Sequence, residues 1–144
     1  GLCQRVAHQA CRADAEIEPC VVVHFQALAD AVTRLADQVA DPKSDKKMQP
    51  DYAKNDTRSI KPEICVAVGI CTHLGCSPTD KFKTGAESGI DPNWPGGFIC
   101  PCHGSTFDLA GRVYKSKPAP DNLEVPPHMY LGETKLVIGE DKKA

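Results

Sequence analysis

Two short segments of this chain combine cysteine and histidine in a spacing that constrains its fold. One is C-T-H-L-G-C at residues 71–76, and the other is C-P-C-H-G-S at residues 100–105. Each segment pairs one cysteine with one histidine at a separation typical of metal ligands: Cys71 with His73 and Cys100 with His103. A fold that uses both pairs must bring two loops side by side around one metal centre.

Each segment also carries a second cysteine, Cys76 or Cys102, placed to reach the other segment. Two thiolates plus two imidazoles form the ligand set of a Rieske 2Fe-2S centre, in which two histidines replace two cysteines on one iron. A closed tetrahedral zinc site is the alternative. Cys-x-His followed far downstream by Cys-x-x-His is not the usual zinc-finger spacing, and zinc would leave two cysteines without a role. Zinc binding therefore stays open as the weakest interpretation.

Longer segments around the two blocks resemble a known family. Residues 66–78, V-A-V-G-I-C-T-H-L-G-C-S-P, and residues 95–111, P-G-G-F-I-C-P-C-H-G-S-T-F-D-L-A-G, are similar to the Rieske iron-sulfur subunits of cytochrome bc complexes. R-S-I-K-P-E at residues 58–63 and the ending L-V-I-G-E-D resemble bacterial members. The resemblance covers about residues 58–141, extends back to about residue 21 and is absent from residues 1–20. The roles of that segment and of its cysteines stay undetermined: Cys3, Cys11 and Cys20.

The resemblance implies a role for each residue of the two blocks. Cys71 and Cys100 would hold the buried iron, and His73 and His103 the outer one. Cys76 and Cys102 would form a disulfide that ties the two loops together, a feature of quinol-oxidising members that also indicates an oxidising compartment.

Neighbouring residues would tune and shield the cluster. Ser105 can donate its hydroxyl to a cluster sulfur, which stabilises the electron-rich reduced form. Leu74 would help to shield the cluster. Many quinol-oxidising relatives have a tyrosine where this chain has Phe107, so one hydrogen bond toward a cysteine sulfur is expected to be missing. Residues 117–120 resemble the proline loop that covers the cluster, although glycine is common at the position of Lys117.

Charge counting predicts a high reduction potential for such a centre. With two thiolates and two neutral imidazoles, the oxidised cluster is neutral, whereas four thiolates leave two more negative charges. Adding an electron to a neutral centre is easier, and Rieske centres span about −150 to +300 mV against about −400 mV for plant-type ferredoxins.

The expected function is electron transfer at a membrane bc complex. The resemblance implies an oxidoreductase subunit, inactive alone, that oxidises ubiquinol with loss of a proton and passes the electron to a c-type cytochrome. His103 would contact the quinol, with His73 beside it, and cytochrome b and the c-type cytochrome would be its partners. Two alternatives remain: the Rieske subunit of another periplasmic oxidase, such as arsenite oxidase, and a Rieske ferredoxin.

Composition sets limits on partners and location. The chain has 144 residues and a net charge of −2, and no basic patch or aromatic ladder suggests nucleic acid. No apolar run approaches the roughly 20 residues that cross a bilayer. Because the chain opens with Gly1, we expect a soluble head at the periplasmic face of a bacterial inner membrane, with its N-terminal anchor removed or never included.

The predicted fold class is all-β with one helix and long loops: a Rieske fold, in which an antiparallel base domain carries an inserted cluster-binding subdomain. Residues 21–65 and 116–144 would form the base and residues 66–115 the subdomain. Strands are predicted at 21–25, 63–69, 123–125 and 134–138, the last two separated by a turn near Gly132. A helix is predicted at 26–40, where Leu28, Val32, Leu35 and Val39 have helical spacing. Residues 42–62 are expected to be a surface loop and 77–97 an irregular excursion.

The remaining cysteine, tryptophan and histidines are interpreted as structural. Trp94 is expected to be a packing anchor and Cys65 a small buried hydrophobe within a strand. His8, His24 and His128 stand alone in the sequence and are expected at the surface or in packing contacts.

Overall fold

The computed structural model describes residues 3–13, 16–25, 28–46, 49–132 and 135–139. Up to residue 29, Val22 is the one residue whose side chain is described. Within these ranges the chain forms eight short or medium strands in three antiparallel sheets and one α-helix. The predicted all-β class with one helix is confirmed. The division into a base domain and an inserted subdomain stays a prediction.

The first sheet has the order β1-β2-β3, with β1 at Cys3–Ala13, β2 at Glu16–Phe25 and β3 at Ile64–Val68. The strand predicted at 21–25 is the second half of β2, and residues without a predicted structure form β1 and the start of β2. The described residues do not include the side chains of five positions raised above: Cys3, His8, Cys11, Cys20 and His24. Buried and exposed side chains do not alternate along β3, because its last four residues are all buried.

The single helix, α1, spans Leu28–Arg34 and is followed by a 3₁₀ helix at Ala36–Gln38. The predicted helix at 26–40 was therefore too long. Val39 has extended backbone angles and forms an antiparallel bridge with Tyr114, which a continuing helix would exclude. Val32, Leu35 and Val39 are 2%, 5% and 1% exposed, so these three apolar side chains pack inside the molecule.

The segment 42–62 is not a simple surface loop. It contains a 3₁₀ helix at Asp51–Ala53 and fully buried side chains, including Arg58 at 1% exposure. The guanidinium of Arg58 donates to the Ser44 hydroxyl and to the carbonyls of residues 110, 111 and 123. Buried carbonyls need donors, and this cation supplies them from across the chain. The surface-loop prediction failed because the sequence does not show which distant carbonyls Arg58 binds.

The second sheet has the order β4-β5-β6, with β4 at Thr79–Lys81, β5 at Gly97–Ile99 and β6 at Thr106–Phe107. The excursion predicted as irregular thus contributes β4, together with a 3₁₀ helix at Gly85–Ser88. Trp94 is 6% exposed and its indole N–H donates to the Lys81 carbonyl at 2.9 Å, which confirms its packing role.

Strand β5 approaches β6 so closely that Gly97 is required. A Cβ at residue 97 would lie 2.0 Å from the Phe107 carbonyl oxygen. Because β5 leads directly into residues 100–105, this contact determines where the second block begins.

The third sheet pairs β7 at His128–Tyr130 with β8 at Leu136–Ile138, closed by a 2.9 Å bond from Leu131 N to the Lys135 carbonyl. The turn near Gly132 is confirmed, and Thr134 lies outside the described residues. The strand predicted at 123–125 is wrong: the segment forms no strand, although Leu123 and Val125 are buried. Its carbonyl at Glu124 accepts one bond from Val68 N.

One hydrophobic core supports the two blocks. Residues of α1, β3, β5 and β6 contribute to it together with the two block cysteines: Ala31, Val32, Cys65, Ala67, Cys71, Phe98, Cys100 and Phe107. Cys65 is 2% exposed within β3, as predicted. His128 is 1% exposed and packs edge-on against Tyr52, also as predicted.

Candidate metal centre

The two Cys/His segments form loops with the same backbone turn. In each loop the amide of the first cysteine donates to the carbonyl five residues on, and a glycine amide donates back to that cysteine's carbonyl. The bonds are Cys71 N to Cys76 O and Cys100 N to Ser105 O at 2.7 Å, Gly75 N to Cys71 O at 3.1 Å and Gly104 N to Cys100 O at 3.0 Å. Both glycines have positive φ, 86° and 77°, a conformation that L side chains rarely adopt.

The equivalent turns carry different side chains at equivalent positions. The third residue of the turn is His73 in the first loop and Cys102 in the second, while the fourth is Leu74 or His103. The sixth residue is Cys76 in the first loop and Ser105 in the second. Each loop therefore offers one histidine, and each supplies one cysteine of the disulfide.

Cys71 and Cys100 are free thiols, each 2% exposed. Burial raises the pKa of the Cys71 thiol and the neighbouring Cys100 adds to the rise, while the backbone N–H groups of His73 and Leu74 oppose it. Two thiols enclosed together, one of them facing N–H donors, are suited to bind a cation as thiolates.

The rings of His73 and His103 pack edge-on against each other. Their ring centroids lie 4.8 Å apart at an interplanar angle of 83°. Nδ1 of His73 is buried without a hydrogen-bond partner in the described part of the chain, whereas His103 is exposed. A buried imidazole nitrogen without a hydrogen-bond partner is costly, and binding a metal is one way to satisfy it. Two buried thiols and this nitrogen fit a cluster with mixed cysteine and histidine ligands.

A disulfide joins Cys76 to Cys102, with their Cα atoms 6.5 Å apart. The predicted pairing is confirmed. The Sγ of Cys100 lies within 4.8 Å of both disulfide sulfurs. This trio is not a second metal site, because two of its sulfurs are already bonded to each other and cannot act as thiolates.

Residues 117–120 pass beside the second loop. The hydroxyl of Ser105, which is 0% exposed, accepts a bond from Ala119 N at 2.9 Å. Its own hydrogen can then point to another acceptor. The left-handed residue lies just before this segment, at Ser116 with φ of 61°, so the turn does not need the glycine that is absent at Lys117.

Residues 117–120, called the covering segment below, are also held in place by contacts to the next residue, Asp121. Thr72 donates its hydroxyl to the Asp121 carbonyl at 2.6 Å, and the Lys46 ammonium lies 2.6 Å from the Asp121 carboxylate. Leu74, expected to shield the cluster, is 70% exposed, and His103 of the second loop is exposed as well. The first loop therefore exposes an apolar side chain and the second loop a polar one.

Sequence reasoning missed a buried ion pair next to the site. Asp108 and Arg112 are both 0% exposed, and their side chains meet at 2.6 Å. Arg112 also donates to the carbonyls of Val32 and Pro42, which fastens the turn after β6 to the segment around α1. Burial raises the pKa of Asp108, and Arg112 opposes the rise. The sequence feature that could have indicated this ion pair is an aspartate four residues before an arginine.

Among the described residues, no helix has the length and apolar character needed to cross a membrane.

Comparison with known proteins places these features in a family. A family model described as the Rieske [2Fe-2S] domain matches residues 38–127, more than half of the chain. The chain is 58% identical over 105 residues to the ubiquinol-cytochrome c reductase iron-sulfur subunit of Allochromatium vinosum, covering 73% of this chain and 50% of that protein.

Mitochondrial proteins are similar too. The Rieske-1 subunit of the Arabidopsis thaliana cytochrome b-c1 complex is 46% identical over 91 residues, covering 62% of this chain and 29% of that protein. The Gallus gallus Rieske subunit is 48% identical over 82 residues, covering 57% and 26%. The chain spans half or less of these relatives. Its cofactor is a 2Fe-2S cluster, which the two loops fit, and the chain belongs to the Rieske [2Fe-2S] domain family.

Proposed function

We propose that this chain carries the cluster of a quinol–cytochrome c reductase. Cys71 and Cys100 would ligate the buried iron, and His73 and His103 the outer iron. The observation that carries the proposal is a pair of disulfide-linked loops that together offer two buried thiols and one buried imidazole nitrogen without a hydrogen-bond partner among the described residues. The disulfide argues against a Rieske ferredoxin, since such proteins have no need of it.

The bound cluster supplies a one-electron acceptor. His103 is the exposed ligand of the pair. As a neutral ligand its outer ring nitrogen would carry a proton, and once that proton is lost the nitrogen could accept a hydrogen bond and then the proton of the quinol hydroxyl. His73, 4.8 Å away with one nitrogen buried, is restricted to holding the iron and packing against His103. The exposed Leu74 would exclude water where the quinol ring approaches.

The wider assignment follows from the relatives' names. The partners would be cytochrome b and a c-type cytochrome, and the substrate would be ubiquinol. A disulfide persists in an oxidising compartment, which supports the periplasmic face of a bacterial inner membrane. Residues 66–115 would form the cluster-binding subdomain, with residues 21–65 and 116–144 as its base.

Electron paramagnetic resonance of the dithionite-reduced protein tests the cofactor and ligands. We expect a rhombic signal with a low average g value, and zinc would give none. His73→Ala and His103→Ala should abolish the signal, whereas His128→Ala is the matched control for a histidine buried elsewhere. A normal signal in His103→Ala would exclude that ligand.

A redox titration then separates the function classes. A midpoint in the positive part of the Rieske range, up to about +300 mV, supports quinol oxidation, whereas a negative midpoint near about −150 mV supports a ferredoxin. Membranes depleted of their own iron-sulfur subunit should regain ubiquinol–cytochrome c reductase activity when the full-length protein is supplied. Recovery of arsenite oxidation instead would indicate the other periplasmic oxidase.

A further inference from the structure

The sulfur atoms of Cys76, Cys100 and Cys102 form one compact group. All three lie within 4.8 Å of one another, two are joined as the disulfide, and the third belongs to a free thiol that is 2% exposed. Cys71, the other free thiol of the site, does not belong to this trio. A thiolate next to a disulfide is the reactant pair of thiol–disulfide exchange.

We infer that the cluster-free protein is a thiol–disulfide exchange site, in which Cys100 displaces one partner of the Cys76–Cys102 bond. Cys100 Sγ attacks one sulfur of the disulfide, a new S–S bond forms, and the other cysteine leaves as a thiolate. That thiolate takes up the proton that Cys100 lost. One disulfide and one thiol exist before and after the step, so no external oxidant is needed.

The core geometry favours this exchange over others. Cys100 follows β5, whose position is imposed by the close approach of Gly97 to β6, so its sulfur is held beside the disulfide. Cys65, the remaining described free thiol, is buried in the middle of β3 outside the trio. A bond between Cys100 and Cys76 would keep the two loops joined while it removed Cys100 from the ligand set.

The bound cluster would prevent the exchange, because a sulfur held by iron is not free to attack. This protection rests on the proposed ligand role of Cys100, whereas the exchange itself does not depend on quinol oxidation. Loss of the cluster would therefore be followed by loss of the native disulfide, and cluster reloading would need prior reduction of the rearranged bond.

Two cluster-free variants of the full chain isolate the step. Cys71→Ser removes one proposed ligand and keeps the trio, while Cys71→Ser/Cys100→Ser removes the attacking thiol as well. Both are purified without reductant, trapped with N-ethylmaleimide, digested and mapped by mass spectrometry beside the cluster-loaded wild type. We expect Cys100 in a bridge to Cys76 or Cys102 in the first variant, and the Cys76–Cys102 bridge alone in the double variant and the wild type.

Each other result decides the matter. If Cys100 in Cys71→Ser is fully alkylated and Cys76–Cys102 is intact, the inference is wrong. If Cys65 enters bridges as often as Cys100 does, exchange comes from unfolded chains and the inference is also wrong. Wild type stripped of its cluster by a chelator at neutral pH repeats the test without a substitution. Exchange in the loaded wild type, despite a Rieske spectrum, would instead refute the ligand role of Cys100.

Discussion

Replacing Ser105 by alanine tests how the second shell sets the reduction potential. The side chain is 0% exposed, and its oxygen accepts the Ala119 amide at 2.9 Å, so the hydroxyl hydrogen is available to a cluster sulfur. A hydrogen bond to a charged group contributes about 1.5–3 kcal/mol. If half of this contribution appears only on reduction, about 0.75–1.5 kcal/mol, the midpoint of a one-electron couple falls by about 30–65 mV.

The same substitution also has a stability cost. It leaves the amide of Ala119, itself 4% exposed, without its acceptor, and an unsatisfied buried amide costs about 1–3 kcal/mol. A potential drop could then come from a loosened covering segment instead of the lost hydroxyl. Thr72→Val separates the two causes, because the Thr72 hydroxyl holds the same segment through the Asp121 carbonyl at 2.6 Å.

The assay is a redox titration followed by circular dichroism, with urea unfolding of each variant. We expect both variants to lose stability and Ser105→Ala to show the larger fall in midpoint. An unchanged midpoint in Ser105→Ala, or an equal fall in Thr72→Val, would refute the direct hydrogen-bond account.

Further perturbations address other parts of the molecule. Phe107→Tyr should raise the midpoint by about 30–65 mV, since a phenol can donate toward a cysteine sulfur; no rise with the hydroxyl beside that sulfur in a crystal structure would contradict this. Burial raises the pKa of Cys65 to about 12, so iodoacetamide should not label it in the folded protein at pH 8, and labelling faster than global unfolding would count against the prediction. Burial also raises the pKa of Tyr130 to about 12 from 10.0, so folding stability present below pH 10 should decline from pH 10 through 12. Tyr130→Phe should flatten that decline in unfolding experiments, and an unchanged slope would exclude this residue as the cause. Arg58→Met should lower the free energy of unfolding by about 2–4 kcal/mol in guanidinium titrations, because it leaves buried carbonyls without donors; a loss below about 0.5 kcal/mol would show that they find other partners.

Local sequence features were enough to predict the chemistry of the site. Ligand type and short-range spacing are local properties, so the pairs in residues 71–76 and 100–105 indicated a mixed cysteine and histidine centre. The disulfide was predicted from the family resemblance. The buried roles of Cys65 and Trp94 were also predicted, because apolar side chains in apolar surroundings are rarely left in water.

Other features of the molecule depend on partners that are distant in the chain. Arg58 is buried because carbonyls of residues 110, 111 and 123 converge on it, and the helix ends early because Val39 pairs with Tyr114. The approach of Cys100 to the disulfide likewise exists only after β5 and β6 have met at Gly97. Hydrogen-bond satisfaction and close packing are properties of the assembled chain, so residue spacing alone does not contain them.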